Sequence, residues 1–137
     1  MSYGDGFVQQ RPMLSFGQAV NSALNKYATF SGRARRSEYW WFMVFNWIVV
    51  FVAIVLDIVL GTNFEPLPYG FFYIVAMLGL FIPNFALCVR RLHDIDRSGW
   101  NILWPIIPIV GGILLLVWFC SDSQRESNRF GESPKYA

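Results

Sequence analysis

Charge is what this sequence has least of. Asp, Glu, Lys and Arg make up 15% of its 137 residues, against roughly 25% in an average soluble domain, while 55% are hydrophobic and 18% aromatic. It has a single histidine, and its two cysteines, Cys88 and Cys120, end apolar stretches, so zinc or another structural metal is not expected. No Gly-rich phosphate loop is present. The basic residues are not interleaved along an exposed face as nucleic-acid binding needs. Neither a cofactor nor a nucleic acid is expected as a partner.

What the chain has instead is long hydrophobic runs. Residues 39–60 hold one acidic residue and no basic one, and residues 70–89 and 100–119 hold no charge. Each is about 20 residues long, which at about 1.5 Å per residue matches the roughly 30 Å hydrocarbon core of a bilayer. A domain this small cannot wrap three helices that are apolar on every side. The first run also starts too late and extends too far for a cleaved signal. The expected class is all-α: a polytopic membrane helical bundle forming one domain, with a polar tail over residues 121–137.

Lys and Arg give the orientation. Arg11, Lys26, Arg33, Arg35 and Arg36 precede the first run, Arg90, Arg91 and Arg97 follow the second, and the connector 61–69 has no basic residue and carries Glu65. The positive-inside rule therefore predicts a cytosolic N-terminus and a cytosolic 90–99 loop. A disulfide is not expected, because Cys88 then faces a reducing compartment. Within the third run, Pro105, Pro108, Gly111 and Gly112 leave two readings open: a kinked straight span, or a re-entrant hairpin with arms of about ten residues. The hairpin returns Arg125, Arg129 and Lys135 to the cytosol; the straight span does not.

Ahead of the first run, residues 15–30 predict an amphipathic interfacial helix. Ser15 and Gln18 form a capping-box pattern. Phe16, Ala19, Val20, Ala23, Leu24 and Tyr27 recur at helical spacing, with Gln18, Asn21, Ser22, Asn25 and Lys26 opposite.

Three motifs follow in order: "FSGRARRSEYWW" at 30–41, "RRLHDIDRSGW" at 90–100, and "NRFGESPK" at 128–135. Together they resemble the small bacterial inner-membrane proteins grouped as domain-of-unknown-function family 805, over nearly the whole chain from about residue 15. The family pattern falls on Gly32, Arg33, Arg36, Glu38, Tyr39 and Trp40, then on Arg90, Arg91, His93, Asp94, Arg97, Ser98 and Trp100, and finally on Asn128, Phe130, Gly131 and Pro134. Phe130 stands where the family often has tyrosine. The resemblance implies a multi-pass protein of the bacterial inner membrane with three or four membrane segments. It brings no established reaction.

The first two motifs hold six arginines (Arg33, Arg35, Arg36, Arg90, Arg91 and Arg97) against three acids, Glu38, Asp94 and Asp96. An antiparallel helix pair brings them to one rim. Glu38 can then meet Arg90 or Arg91, and Asp94 or Asp96 can meet Arg33, Arg35 or Arg36, as a structural clasp. The surplus of positive charge suggests a second role. Arg33, Arg36, Arg90, Arg91, His93 and Arg97 are candidates to bind a phosphate or an anionic lipid head group. His93 beside Asp94 lacks a nucleophile with an oxyanion hole, since Ser98 has no such motif around it, and no catalytic residue is assigned.

Inside the runs, Asn46 and Asp57 share a helix face, and Asn84 lies at the depth of Asn46, which allows a hydrogen bond between helices. Asp57 is expected near the outer end, open to interfacial water, although intramembrane acids also mark ion pathways. The leading functional expectation is a non-enzymatic inner-membrane protein that binds anionic lipid or a membrane-protein partner at the arginine-rich rim. A small transporter or channel built as a homo-oligomer, and a membrane enzyme acting on a phosphorylated lipid, are the alternatives.

Overall fold

A computed structural model describes residues 10–135. Its five helices are α1 (Phe16–Asn25), α2 (Arg36–Leu60), α3 (Phe71–Asp94), a 3-10 helix (Gly99–Ile106) and α4 (Val110–Cys120), with no strand among the described residues. α2 and α3 are long and apolar enough to cross a membrane. They pack as an antiparallel pair, and Asn46 and Asn84 meet across it: each side-chain amide donates to the other's oxygen, at 2.5 and 3.1 Å. A reciprocal pair of this kind satisfies two amides that lipid could not.

Asp57 sets the far end of the pair. Its carboxylate accepts from the Thr62 hydroxyl at 2.7 Å and from the backbone N–H groups of Gly70, Phe72 and Tyr73 at 2.8, 2.9 and 3.0 Å. Those amides belong to the first turn of α3, which has no intrahelical acceptor for them, so an acid on one helix caps the next. The carboxylate is not open to interfacial water as expected from its depth: Asp57 is 0% exposed. The returning connector closes tightly over it, and a Cβ on Gly70 would lie 2.1 Å from the Thr62 carbonyl oxygen.

Pro83 lies inside α3 and lacks the N–H that would bond the carbonyl of Gly79, four residues earlier. The Tyr27 hydroxyl donates to that carbonyl instead. In apolar surroundings a freed carbonyl needs such a substitute.

α1 forms with both halves of the Ser15–Gln18 capping box in place, at 3.0 and 3.2 Å. It ends at Asn25, five residues short of the expected end, and a turn over 26–28 and a bend at 31–32 lead from it to Arg35. Ala19 and Ala23 are fully buried, while Phe16, Leu24 and Tyr27 of the same stripe stay exposed. Ser22 departs from the polar face assigned to it and donates to Glu38 Oε1 at 3.2 Å.

Residues 100–119 double back. The 3-10 helix and α4 lie side by side, joined by a turn through Pro108 and Ile109, and a Cβ on Gly111 would sit 1.7 Å from the Trp104 carbonyl oxygen. Both arms start and finish at one end of the α2–α3 pair: Gly99 abuts Val89, and the Phe119 carbonyl accepts from Arg91. Residues 100–119 thus leave from and return to the same end of the pair. The buried cluster of Ala23, Ala34, Tyr39, Phe42, Leu87, Leu92, Leu115 and Phe119 also lies at this end.

Candidate functional site

The arginine-rich end is built around the last turn of α3. Residues 32–34 lie along it: the Ala34 N–H donates to the Arg90 carbonyl at 3.0 Å, and the Gly32 carbonyl lies 3.0 Å from His93 Nδ1. That placement sets Arg33 over Asp94. Arg33 Nε reaches Asp94 Oδ1 at 3.1 Å, and its two terminal nitrogens donate to the carbonyls of Asp94, Gln124, Glu126 and Gly131 at 2.9–3.2 Å. Arg91 donates to Asp94 Oδ2 at 3.0 Å, to the Phe119 carbonyl at 3.0 Å and to the Ser121 carbonyl. Ser123 adds its hydroxyl to Asp94 Oδ2 at 2.5 Å.

Two guanidinium groups thus share one carboxylate in a fully buried position. A buried charge is tolerated only when it is paired and its remaining hydrogen bonds are satisfied. Backbone carbonyls from the tail and the end of α4 supply most of that second requirement here, and Arg91 Nε is left without a partner among the described residues. Arg90 forms a separate pair with Glu38 at 2.9 Å, both side chains almost wholly buried. Its Nε and Nη2 have no hydrogen-bond partner among the described residues.

The other charged residues lie outside this knot. Of the two acids expected to meet Arg33, Arg35 or Arg36, Asp94 does so through Arg33, whereas Asp96 lies just past α3, with φ 58°, and pairs with Arg129 at 3.2 Å. The Arg97 guanidinium lies 4.1 Å from the centroid of the Trp118 ring, a cation–π contact. Arg36 donates to the Cys120 carbonyl at 3.2 Å and pairs with Asp122 at 3.3 Å. Arg35 donates to the carbonyls of Arg11 and Pro12 at 3.3 and 2.9 Å.

The candidate ligand residues therefore divide. Arg33, Arg90, Arg91 and His93 are buried and turned to internal partners, so an outside phosphate does not find them. His93 stacks on Phe130 at 3.8 Å with the rings 3° from parallel, and its carbonyl accepts from Asn128. The Ser98 hydroxyl accepts from the Trp100 N–H at 3.4 Å, as the cap of the 3-10 helix. A cleft of about 670 Å³ lies along the start of α2 and is lined by Arg11, Arg35, Arg36, Ser37, Trp40, Trp41 and Cys120 among others. Arg36 is the one member of the candidate ligand set that lines it.

Sequence reasoning missed Ser123, Asp122 and Arg11. Hydroxyl and backbone acceptors in a polar tail carry no periodic signal. Phe130 did carry one, because an aromatic residue at that place belongs to the family pattern and supplies the ring on which His93 stacks.

Comparison with known proteins agrees with this picture of a membrane chain. The chain is 45% identical over 116 residues to the inner membrane protein YhaI of Escherichia coli (strain K12), covering 84% of this chain and 93% of that one. It is 40% identical over 112 residues to the inner membrane protein YhaH of the same strain, covering 82% and 92%. No solved structure matches it. The sequence pattern of a family described as protein of unknown function, DUF805, matches residues 27–132, and the chain belongs to that family.

Proposed function

We propose that this is a non-enzymatic, multi-pass protein of the bacterial inner membrane that holds anionic lipid at a cytosolic, arginine-rich rim. α2 and α3 cross the bilayer in this reading, residues 100–119 enter from the cytosol and return, and both described chain ends stay cytosolic. The carrying observation is the separation of charge along the α2–α3 pair. None of the eleven Lys and Arg residues falls between Ser37 and Val89, and the connector at the far end carries Glu65 instead. That asymmetry satisfies the positive-inside rule for every basic residue at once. α4, with 11 residues, spans about 16 Å, half of a hydrocarbon core, as a re-entrant arm does. Asp57 is held by four donors within its own hairpin, which supports a structural role rather than an ion pathway.

Topology and binding are tested separately. An impermeant maleimide should label Cys120 in inverted membrane vesicles and leave it unlabelled in intact spheroplasts; labelling in spheroplasts would put the tail outside and sink the re-entrant reading. Native mass spectrometry of the detergent-purified protein should then show retained anionic phospholipid. Retention of a second protein with no lipid would favour a partner-binding role instead.

A further inference from the structure

We propose that the cleft at the start of α2 seats the phosphate of one anionic phospholipid, whose acyl chains run down an exposed stripe of that helix. The inference rests on the cytosolic, lipid-binding reading above and gives it a place.

Three features converge there. α2 starts with Arg35 at its N-cap and no side chain accepting its first amides, so the positive end of a 25-residue helix is uncapped. An anion is the natural partner of such an end. Ser37, in that first turn, lines the cleft, and its hydroxyl is buried without a hydrogen-bond partner among the described residues. Finally, Arg36 lines the cleft with an exposed guanidinium, and no acid lines it; Arg11, Arg35 and Lys135 add positive charge around it while turned to the Ser133, Arg11 and Pro12 carbonyls and to Asp122. Asp122 pairs with Arg36 and Lys135 nearby, but the Arg36 pair is open to solvent, with side chains 44% and 41% exposed. Exposed pairs are weak enough for a phosphate to share the guanidinium.

The apolar side of the cleft says that the phosphate arrives on a lipid. Trp40 and Val44 line it, and Trp47 and Phe51 continue the same stripe at helical spacing. All four are exposed, Trp47 and Phe51 to 74% and 68%. The stripe extends about 16 Å down α2 from the cleft, at about 1.5 Å per residue. Free phosphate has no use for that surface; a diacyl lipid does.

Cys120 also lines the cleft and serves as a built-in reporter. In a Cys88→Ser background, the rate of its labelling by an impermeant maleimide is compared in nanodiscs of phosphatidylcholine alone, of phosphatidylcholine with phosphatidylglycerol, and of phosphatidylcholine with inorganic phosphate added. Phosphatidylglycerol should slow labelling by about tenfold, the equivalent of one hydrogen bond to a charged group, and inorganic phosphate should not. Arg36→Gln with Ser37→Ala should abolish the slowing, Arg36→Lys should keep part of it, and Arg97→Gln should keep all of it. Each ratio is read within one variant, so a change in basal thiol exposure cancels. Equal protection by inorganic phosphate would overturn the lipid assignment. Protection that survives Arg36→Gln with Ser37→Ala but falls with Arg97→Gln would move the lipid elsewhere on the rim, ending this proposal and sparing the broader one. No protection in any protein, together with no lipid retained in native mass spectrometry, would end both.

Discussion

At its far end the α2–α3 pair buries one carboxylate, Asp57, and satisfies it with a hydroxyl and three backbone amides drawn from residues 62–73. At the other end it buries Arg33, Arg35, Arg90, Arg91, Glu38 and Asp94, and the partners come from the tail, from α4 and from the segment before α2. The first network is complete once a single hairpin has formed. The second joins residues up to 98 positions apart, as in the bond from Arg33 to Gly131. Local backbone donors can thus bury a charge without any counter-ion, whereas a cluster of cations needs both carboxylates and distant carbonyls. The rim should accordingly be the more fragile of the two under single substitution.

Asp94→Asn should have the largest effect, because it removes the one carboxylate shared by Arg33 and Arg91. A loss of about 3–5 kcal/mol is expected for a broken buried pair, read as early thermal unfolding in detergent or failure to accumulate in the membrane. A variant as stable as the parent would mean that the carbonyls alone hold both cations. Glu38→Gln comes next, at about 3 kcal/mol, and adding Arg90→Met should recover much of it, since a buried pair replaced by apolar groups is often neutral. No recovery would show that Arg90 is needed for more than its partner. Asp57→Asn should unfold earlier than the parent yet later than either rim variant, because an amide oxygen still accepts some of the α3 amides. If it proves the worst of the three, the far end is the dominant lock and the comparison reverses. Arg129→Gln should be the mildest, within about 0.5 kcal/mol, as its pair with Asp96 is exposed.

Much of the frame was legible in the sequence. Uninterrupted apolar length marks α2 and α3, Ser15 and Gln18 mark the start of α1, and equal depth from the charged ends predicts the meeting of Asn46 and Asn84. Pro105, Pro108 and the paired glycines announce a break in the third run, but a break does not say whether the chain continues or turns back. The close approach of the Trp104 carbonyl to the bare backbone of Gly111, which the turn back requires, is a contact with no periodicity. The fate of the arginines was also hidden. Counting six cations against three acids suggests a surplus facing outward, yet Arg33 spends its terminal donors on carbonyl groups, which every residue possesses and no composition reveals. Burial followed from the tail, and of the six candidate residues Arg36 is the one that lines the cleft at the start of α2.

The bonds from Arg33 to Gln124, Glu126 and Gly131 also set an order of events during synthesis. Arg33 leaves the ribosome before either long helix, and its last acceptors follow about ninety residues later, or at least several seconds at about 5–20 residues per second. In the topology proposed above, its guanidinium stays hydrated at the water boundary throughout that interval and keeps the N-terminal segment on the cytosolic side while α2 and α3 insert. The tail then completes the rim as the final step of assembly. A nascent chain stalled before Gln124 would therefore carry an unfinished, water-exposed arginine that distinguishes it from the finished protein.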